Sequence, residues 1–407
     1  MERVPVAVIG AGQAGLSVSH ELTALGVEHA VLERGRVGQT WRDRWDSFCL
    51  VTPNWTVQLP GLHYDGPDPD GFMPRDEIVA YLERYAADAP VREGVRVEGI
   101  EPGPDGAHLD TSGGELSAEA AVLANGAYQR PHRPAAAEML PAELPQLDVP
   151  DYRNPDALPP GRVLVVGSGQ SGCQIAEELH AAGRDVVLAC GRAPWAPRRI
   201  GDRDLLWWAI ESGFYDIAVE ALPSPHERLV GNVTVTGHGG GRDLNLRTLQ
   251  AAGVPLAGHL AGVEGQELRF AGDLAESARW GDERYELFAG VVRRFADERG
   301  LEQPALEPPE PFDEAGLEHL DLRELGCVLF ATGFRPDYTS WLAPEAFDEL
   351  GFPLHDDGES TVVPGLYFVG VHYLRKRKSS LFVGVGEDAA IVAARIADRL
   401  GGRLRAS

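Results

Sequence analysis

Cysteine is scarce in this chain of 407 residues, because only four occur and no two of them form a C-x-x-C pair. They are Cys49, Cys173, Cys190 and Cys327. Such spacing matches neither a disulfide framework nor a dithiol redox motif nor a zinc site. We therefore predict no metal site, and a reducing cytoplasm is the expected location.

Basic residues and long apolar runs are also few. The sequence has 37 basic and 62 acidic residues, which gives a formal net charge of −25. This balance disfavours nonspecific binding to nucleic acid or to an anionic membrane surface. No run of about 18 apolar residues occurs, and the first residues lack the apolar stretch and cleavage site of a signal peptide. We predict neither a nucleic-acid partner nor a membrane partner.

Two glycine-rich turns are present instead, each between an apolar strand and a helix. VAVIGAGQAG covers residues 6–15, and VLVVGSGQSG covers residues 163–172. In the pattern G-x-G-x-x-G the first glycine makes a tight turn, the second lets the backbone approach a pyrophosphate, and the third lets the helix pack on the strand. Two dinucleotide-binding units are therefore predicted. The predicted binding residues in these turns are Gly10, Gly12, Gln13, Ala14, Gly15, Gly167, Gly169, Gln170, Ser171 and Gly172.

The end of the second strand distinguishes the two units. Glu33 lies 23 positions after Gly10, where a carboxylate can accept hydrogen bonds from both ribose hydroxyls. The equivalent position after Gly167 is Cys190, and Arg192 follows two residues later. A carboxylate there would repel a ribose 2′-phosphate, whereas an arginine can pair with it. The first unit is predicted to bind an unphosphorylated ribose and the second to bind NADP; a solvated surface arginine is the alternative for Arg192.

Alternating strands and helices predict an α/β fold with two Rossmann-like dinucleotide-binding domains. A proline-rich passage, residues 131–160, suggests a crossover between them. Residues 1–158 and 325–407 are predicted to form the first domain, with the second, residues 159–324, inserted into it. The less regular part of the insertion, residues 202–320, is expected to shape a substrate pocket.

Six further segments are informative: GQTWR (38–42), RWDSFCLVTPNW (44–55), ANGAYQRPHRP (124–134), YRNP (152–155), FATGFRPD (330–337) and KSSLFVGVGEDA (378–389). They resemble segments of flavin-containing monooxygenases, a branch of the two-dinucleotide flavoproteins related to glutathione reductase. Within this branch they most resemble bacterial single-component, class B monooxygenase-like proteins of about this length.

This resemblance implies FAD in the first site and NADPH in the second. In such enzymes the nicotinamide reduces the flavin, dioxygen adds to give a flavin C4a-hydroperoxide, and a small molecule is oxygenated. The implied protein is an NADPH-dependent monooxygenase with a small-molecule substrate and dioxygen. A flavoprotein reductase or oxidase that inserts no oxygen remains the alternative. The Baeyer–Villiger fingerprint F-x-G-x-x-x-H-x-x-x-(Y/W), which would end at Tyr152, is absent because Asp148 replaces its histidine.

The resemblance also implies residues near the flavin. Asn54 is the candidate catalytic amide, with a turn-forming asparagine as the alternative. Asp388 opens the last helix, whose N-terminus would face the flavin, and a helix cap is the alternative. Trp41 would stack near the ring or belong to the core. The other predicted cofactor-binding residues are Arg34, Gln39, Thr40, Asn125, Gly126, Thr332 and Gly333.

Several assignments remain open from the sequence. Arg198 and Arg199 could add to the phosphate site. The run Arg375–Lys378 could edge the flavin or an acidic substrate, or be a solvated face. The aromatic residues Trp207, Trp208, Phe214 and Tyr215 could line the pocket or fill a core. A homodimer is the default expectation for the assembly.

Overall fold

The computed structural model describes residues 2–103, 106–339 and 341–406. The first part of the chain contains β1 (Glu2–Ile9), α1 (Gln13–Ala24), β2 (His29–Glu33), α2 (Arg75–Tyr85), β3 (Val91–Glu93), β4 (Val97–Gly103), β5 (Gly106–Thr111), β6 (Gly114–Leu123), β7 (Gln146–Asp148), β8 (Arg162–Val166), α3 (Gln170–Ala181) and β9 (Val186–Ala189). The second part contains α4 (Leu205–Glu211), α5 (Leu246–Ala251), β10 (Leu256–Ala257), β11 (Leu260–Glu264), β12 (Glu267–Phe270), α6 (Leu274–Arg299), β13 (His319–Asp321), β14 (Leu325–Phe330), β15 (His355–Asp356), β16 (Glu359–Ser360), β17 (Leu366–Phe368) and α7 (Val385–Ala406). Short hairpins and 3-10 turns connect these elements.

The first sheet carries the first glycine turn. Its strand order is β15-β16-β17-β6-β1-β2-β3, and β5 joins it by pairing with β4 and β6. The strands from β17 to β3 run parallel, and the apolar ends of β1 and β6 are buried, as central parallel strands require. Leu16 and Leu22 of α1 share an apolar cluster with Val392 and Ile396 of α7. The last helix therefore covers the sheet beside the first glycine turn.

The second sheet carries the second glycine turn. Its order is β7-β14-β8-β9-β10, and all four pairings are parallel. The predicted fold class, α/β with two Rossmann-like units, is thus confirmed. One placement is corrected: the predicted boundaries assign β7 and β14 to the first domain, but both strands belong to the second sheet. Strand pairing between distant segments leaves no local sequence signal, so the predicted boundaries, after residue 158 and after residue 324, each assigned one strand of the second sheet to the first domain.

The region 202–320 is more regular than its sequence suggested. Helix α6 covers Leu274–Arg299 within this region, and β11, β12 and β13 form an antiparallel sheet. The aromatic residues of this region pack as core: Trp207 and Trp208 meet Phe295, with ring centroids 6.1 and 6.3 Å away. Phe214 meets Phe288 at 5.1 Å. These contacts favour the core interpretation over a pocket lining.

In residues 2–103, 106–339 and 341–406, no helix is long and apolar enough to cross a membrane. Among the same residues, no group of three or more His, Cys, Asp or Glu side chains is arranged to hold a metal ion. The four cysteines are free and buried.

Candidate active site

The first glycine of each turn lies in the same backbone conformation and close to a carbonyl oxygen of a neighbouring strand end. Gly10 and Gly167 have φ angles of +109° and +106°, a region that side chains other than glycine rarely adopt. A Cβ at either position would lie 2.6 Å from a carbonyl oxygen, that of Ala124 or that of Ala331. The two turns therefore require glycine for the same reason.

The third glycine of each turn packs the helix onto its strand. A Cβ at Gly15 would lie 1.8 Å from the carbonyl oxygen of Gly10, and a Cβ at Gly172 would lie 1.8 Å from that of Gly167. No side chain fits such a contact, so these two glycines are required by the fold itself.

The second glycine of each turn has a different environment. A Cβ at Gly12 or Gly169 would meet no atom within 4 Å, and neither residue has a positive φ. The fold does not require glycine here. Because the N–H groups at a helix N-terminus favour an anion, these open spaces are where a pyrophosphate can approach the backbone.

Glu33 is the last residue of β2 in the first dinucleotide-binding unit. Its buried carboxylate accepts hydrogen bonds from the backbone N–H of Ala11 and of Gly35, both at 2.9 Å. These bonds hold the carboxylate against the glycine turn, at the end of β2. The neighbouring Arg34 is exposed, and it makes no ion pair with a described residue.

Arg192 has a partner that the sequence did not reveal. The end of β9 is closed by Ser168, whose Oγ donates to and accepts from the backbone of Gly191. The next side chain, Arg192, is about half exposed and pairs with Glu276 in the first turn of α6, with Nη2 and Oε1 2.9 Å apart. Glu276 is 84 residues away, so no local pattern could indicate it.

Arg198 is excluded from a phosphate role by its contacts. Its side chain is buried, pairs with Asp204 at 2.8 Å and donates from Nη1 to the carbonyl of Val51. The guanidinium lies 4.4 Å from the ring centroid of Phe72. Arg198 thus fixes the 198–204 hairpin to the loop after residue 50. Arg199 is exposed and donates to the carbonyl of Asp202.

The glutamines that open α1 and α3 both bind neighbouring segments. Gln13 accepts from Trp41 Nε1 at 3.1 Å and donates to the carbonyl of Ser380 at 3.4 Å. Gln170 exchanges two hydrogen bonds with the backbone of Val235. The ring of Trp41 stacks on Phe382 at 5.5 Å. Trp41 is therefore attached to both the first glycine turn and the segment before α7.

The N-terminus of α7 is surrounded by ion pairs. Asp388 is buried and accepts from Arg375 Nη1 at 3.1 Å, and burial raises the pKa of its carboxyl above the usual value. Lys376 and Lys378 each contact both Asp216 and Glu387; these four pairs have N–O distances between 2.5 and 3.0 Å. Most of the basic run is thus neutralised by carboxylates.

Asn54 is held by backbone groups at both ends of its amide. Nδ2 donates to the carbonyl of Asp68 at 2.9 Å, and Oδ1 accepts from the N–H of Met73 at 2.7 Å. These bonds fix the loop 68–73 and match the turn-forming alternative. One amide hydrogen is not accounted for, and the catalytic role of Asn54 remains a prediction.

The remaining predicted residues lie at the ends of the central strands. Asn125 and Gly126 follow β6, and Thr332 and Gly333 follow β14. The Oδ1 atom of Asn125 is buried without a hydrogen-bond partner, and a Cβ at Gly126 or Gly333 would meet nothing within 4 Å. Thr332 donates to the carbonyl of His132. Two others are near the first turn: Gln39 bonds Asp43, and Thr40 is exposed.

His372 provides a pH test of this region. Burial, and then the charges of Arg377 and Arg228, lower the pKa of its imidazole to about 4. The unfolded chain therefore binds more protons than the folded protein between about pH 4 and pH 6.5. We expect the free energy of unfolding to fall as the pH drops through this window, by up to about 1.4 kcal/mol per pH unit from this group.

A substitution separates the contribution of His372 from those of other groups. Urea unfolding is measured for the wild type and for His372→Asn at pH 7.5, 6.5 and 5.5. Relative to the wild type, the free energy of unfolding of the variant should rise as the pH falls, because the variant lacks the titrating imidazole. The exposed His63 supplies the control, because His63→Asn should follow the wild-type curve. Parallel curves for wild type and His372→Asn would contradict the lowered pKa.

Two mainly parallel sheets, each with a glycine turn that opens onto a helix N-terminus, define a protein with two dinucleotide-binding units. Residues 7–204 match the family model described as pyridine nucleotide-disulphide oxidoreductase. The uncharacterized CzcO-like oxidoreductase of Geobacillus kaustophilus is 32% identical over 391 residues, which cover 95% of this chain and 96% of that protein. The indole-3-pyruvate monooxygenase YUCCA1 of Oryza sativa is 36% identical over 46% of this chain and 48% of its own length.

A solved structure has the same fold. The flavin-containing monooxygenase of Stenotrophomonas maltophilia covers 98% of this chain and 100% of its own, with a TM-score of 0.68 and 21% identity. The chain belongs to the CzcO-like oxidoreductases, within the flavin-containing monooxygenase-like flavoproteins. It is an FAD-dependent oxidoreductase, and its family uses a pyridine nucleotide. The predicted family is confirmed.

Proposed function

We propose that this protein is an NADPH-dependent, FAD-containing monooxygenase that oxygenates a small molecule. The observation that carries the proposal is the second glycine of each turn, which in both units faces open space in front of a helix N-terminus. A chain with two such sites can bind an electron donor and an electron acceptor together. In the proposed division the FAD domain consists of the N-terminal and C-terminal segments, and the inserted NADP domain includes β7 and β14.

The residues of the first site fit FAD. Gly12 leaves space for a pyrophosphate, and the carboxylate of Glu33 at the end of β2 supports hydrogen bonding to ribose hydroxyls. The buried, unpartnered Oδ1 of Asn125 offers a hydrogen-bond acceptor at the end of the neighbouring strand β6. Trp41 and the N-terminus of α7 are joined to this site through Gln13 and Ser380.

The second site fits a pyridine nucleotide in the same way. Gly169 leaves space for its pyrophosphate, and Gly333 lies open at the end of the neighbouring strand β14. The position at the end of β9 that corresponds to Glu33 is the buried Cys190, and Arg192, although paired with Glu276, is the nearby cation for a 2′-phosphate. These features support NADPH over NADH.

A bound flavin would supply the redox chemistry between a reduced pyridine nucleotide and dioxygen. The protein's own part is to bind, orient and shield. In our proposal the N-terminus of α7, with the positive end of its helix dipole, faces the flavin. Arg375 keeps the charge of Asp388 paired there. Asn54 fixes the loop 68–73, and in our proposal its remaining amide hydrogen faces the reacting atoms.

Reduction of a protein or small-molecule disulfide by a cysteine pair is disfavoured. The four cysteines are buried and unpaired, and burial raises the pKa of Cys49 and of Cys327 to about 11. A thiol with such a pKa is a poor nucleophile at neutral pH. Electrons that reach the flavin therefore have no described dithiol to pass through, which favours transfer to dioxygen or to another small acceptor.

The test measures the amount of oxygenated product formed per NADPH consumed. Purified holoenzyme is mixed with NADPH under air and with small thioethers, amines, ketones and acids, and oxygenated product and H₂O₂ are quantified. We expect product to match the NADPH consumed for at least one substrate class, and NADH to react much more slowly. Full conversion of NADPH to H₂O₂ with every class would instead favour the oxidase alternative.

A further inference from the structure

His259 lies beside the end of β9, where the second unit would hold the adenosine ribose of its dinucleotide. Strands β9 and β10 are parallel neighbours, so the segments that follow them leave the same edge of the second sheet. Arg192 follows the first of these strands, and His259 follows the second. A Cβ at Gly191 would lie 3.0 Å from Nε2 of His259. The imidazole therefore lies against the backbone of the residue next to Arg192.

A carboxylate fixes the orientation of this ring. His259 Nδ1 lies 2.5 Å from Oδ2 of Asp273, and the backbone N–H of His259 donates to Oδ1 of the same carboxylate at 3.0 Å. The carbonyl of His259 accepts from the N–H of Ala271 at 2.8 Å. Gly258 makes this close approach possible, because a Cβ there would lie 2.4 Å from Oδ1 of Asp273. Both backbone groups and one ring nitrogen of His259 are thus fixed.

The free nitrogen of the ring is Nε2. Burial opposes ionisation of Asp273, but the hydrogen bonds from His259 prevail and lower the pKa of its carboxyl. An ionised carboxylate only accepts, so Nδ1 carries a hydrogen and donates it. Nε2 makes no hydrogen bond with a described residue, and the side chain of His259 is about half exposed. Because a protonated imidazole donates from both nitrogens, Nε2 can offer a charged N–H group to an anion while Nδ1 stays bonded to Asp273.

The same helix end holds the cation proposed for the 2′-phosphate. Asp273 is the N-cap of α6 and Glu276 is the third residue of that helix, two positions whose side chains lie close together. Glu276 pairs with Arg192, as Asp273 pairs with His259. The two pairs therefore lie side by side, and both basic side chains are accessible to a ligand.

We propose that His259 is a second contact for the 2′-phosphate of NADPH and that it determines, with Arg192, the choice between NADPH and NADH. Protonated Nε2 donates to one phosphate oxygen and Arg192 to another, while Asp273 positions the ring. This assignment rests on the proposed use of NADPH. It adds a residue that the spacing of the second glycine turn does not indicate, because His259 belongs to the next strand end.

Calorimetric titration of the FAD-loaded enzyme with three adenosine phosphates tests this assignment. Bound FAD keeps the first site occupied, so the titration reports on the second. Adenosine 2′,5′-bisphosphate is the part of NADPH that carries the 2′-phosphate, 5′-AMP lacks that phosphate, and adenosine 3′,5′-bisphosphate has it on the neighbouring hydroxyl. We expect the 2′,5′-bisphosphate to bind at least about 10-fold more tightly than either of the others, as charge-assisted hydrogen bonds to its 2′-phosphate imply.

Two substitutions separate phosphate binding from a purely structural role of the His259–Asp273 pair. His259→Asn removes the charge and should lower the preference for the 2′,5′-bisphosphate roughly 10-fold, with the affinity for 5′-AMP unchanged. His259→Lys keeps a cation and should retain most of the preference. A structural role would instead weaken both nucleotides together. His108→Asn is the matched control, because this exposed histidine of β5 lies in the first sheet, and it should bind all three compounds as the wild type does.

The possible outcomes separate this inference from the proposed function. Equal weakening of both nucleotides by His259→Asn, an unchanged preference in that variant, or an equal loss in His259→Lys would each overturn the role of His259. If Arg192→Gln abolished a preference that His259→Asn left intact, the NADPH assignment would stand without His259. No preference in the wild type would reject both. A preference that depends on His259, in an enzyme that forms only H₂O₂, would support this inference and contradict the proposed monooxygenase.

Discussion

Gly12→Ala should lose FAD while the polypeptide still folds, and Gly169→Ala should keep FAD and lose the pyridine nucleotide. Both positions have non-positive φ angles and empty space around an added Cβ, so alanine causes no clash within the protein. The same methyl group would occupy the place where a pyrophosphate approaches. Overpacking of this kind costs about 1–3 kcal/mol, or roughly 10- to 100-fold in cofactor affinity.

The measurement has three parts. Flavin content after purification reports the first site, NADPH titration of the oxidised enzyme reports the second, and urea unfolding of the cofactor-free protein reports the fold. Gly15→Ala and Gly172→Ala are the contrasting variants. An added Cβ there would lie 1.8 Å from a carbonyl oxygen, so these proteins should be destabilised before any cofactor is added. If Gly12→Ala retained FAD with wild-type affinity, the first site would be misassigned.

Arg192→Gln should weaken NADPH by roughly 10- to 100-fold and leave NADH almost unchanged. The physical reason is the 2′-phosphate, which only NADPH carries and which only a nearby cation can pair with. The contact with Glu276 makes a second prediction possible. Because Glu276 holds Arg192 at 2.9 Å, its carboxylate competes with the phosphate for the same guanidinium. Glu276→Gln should therefore tighten NADPH.

Anaerobic titration of flavin reduction with each nucleotide measures both effects. Arg199→Gln is the control, because this exposed arginine already donates to the backbone of Asp202. Equal weakening of NADPH and NADH by Arg192→Gln would show a general loss of structure, and it would refute a phosphate contact. An unchanged NADPH affinity in Glu276→Gln would mean that the ion pair opens without cost, as exposed pairs often do.

Much of the candidate site was predictable because its signals are local. Each glycine turn lies with its neighbouring strands in one β-turn-α-β unit, and Glu33 belongs to the first of these units. Within such a unit, the number of residues between two positions largely fixes the distance between them. The same holds for Asn125 and Gly333, which follow buried strands. The alternation of strands and helices likewise gave the fold class, although the sequence did not indicate the regular structure within residues 202–320, such as α6.

Other features depend on contacts between distant segments, and the sequence gives no sign of them. The pairing of β7 and β14 with β8 changed the placement of two strands. Arg198 looked like a phosphate ligand beside Arg199, and only its contacts with Asp204 and Val51 identify it as a buried structural residue. A residue type does not specify its partner when that partner is far away in the chain.

By itself, the sequence determined the fold class, the family and the two glycine turns, because these depend on short-range backbone requirements that glycine and apolar spacing meet directly. Only the tertiary structure decided which charged groups are neutralised and which are not. It paired Arg192 with Glu276 and left Nε and Nη2 of Arg228 without a hydrogen-bond partner among the described residues. Electrostatic pairing depends on distance in space and on burial, and both exist only after the chain has folded.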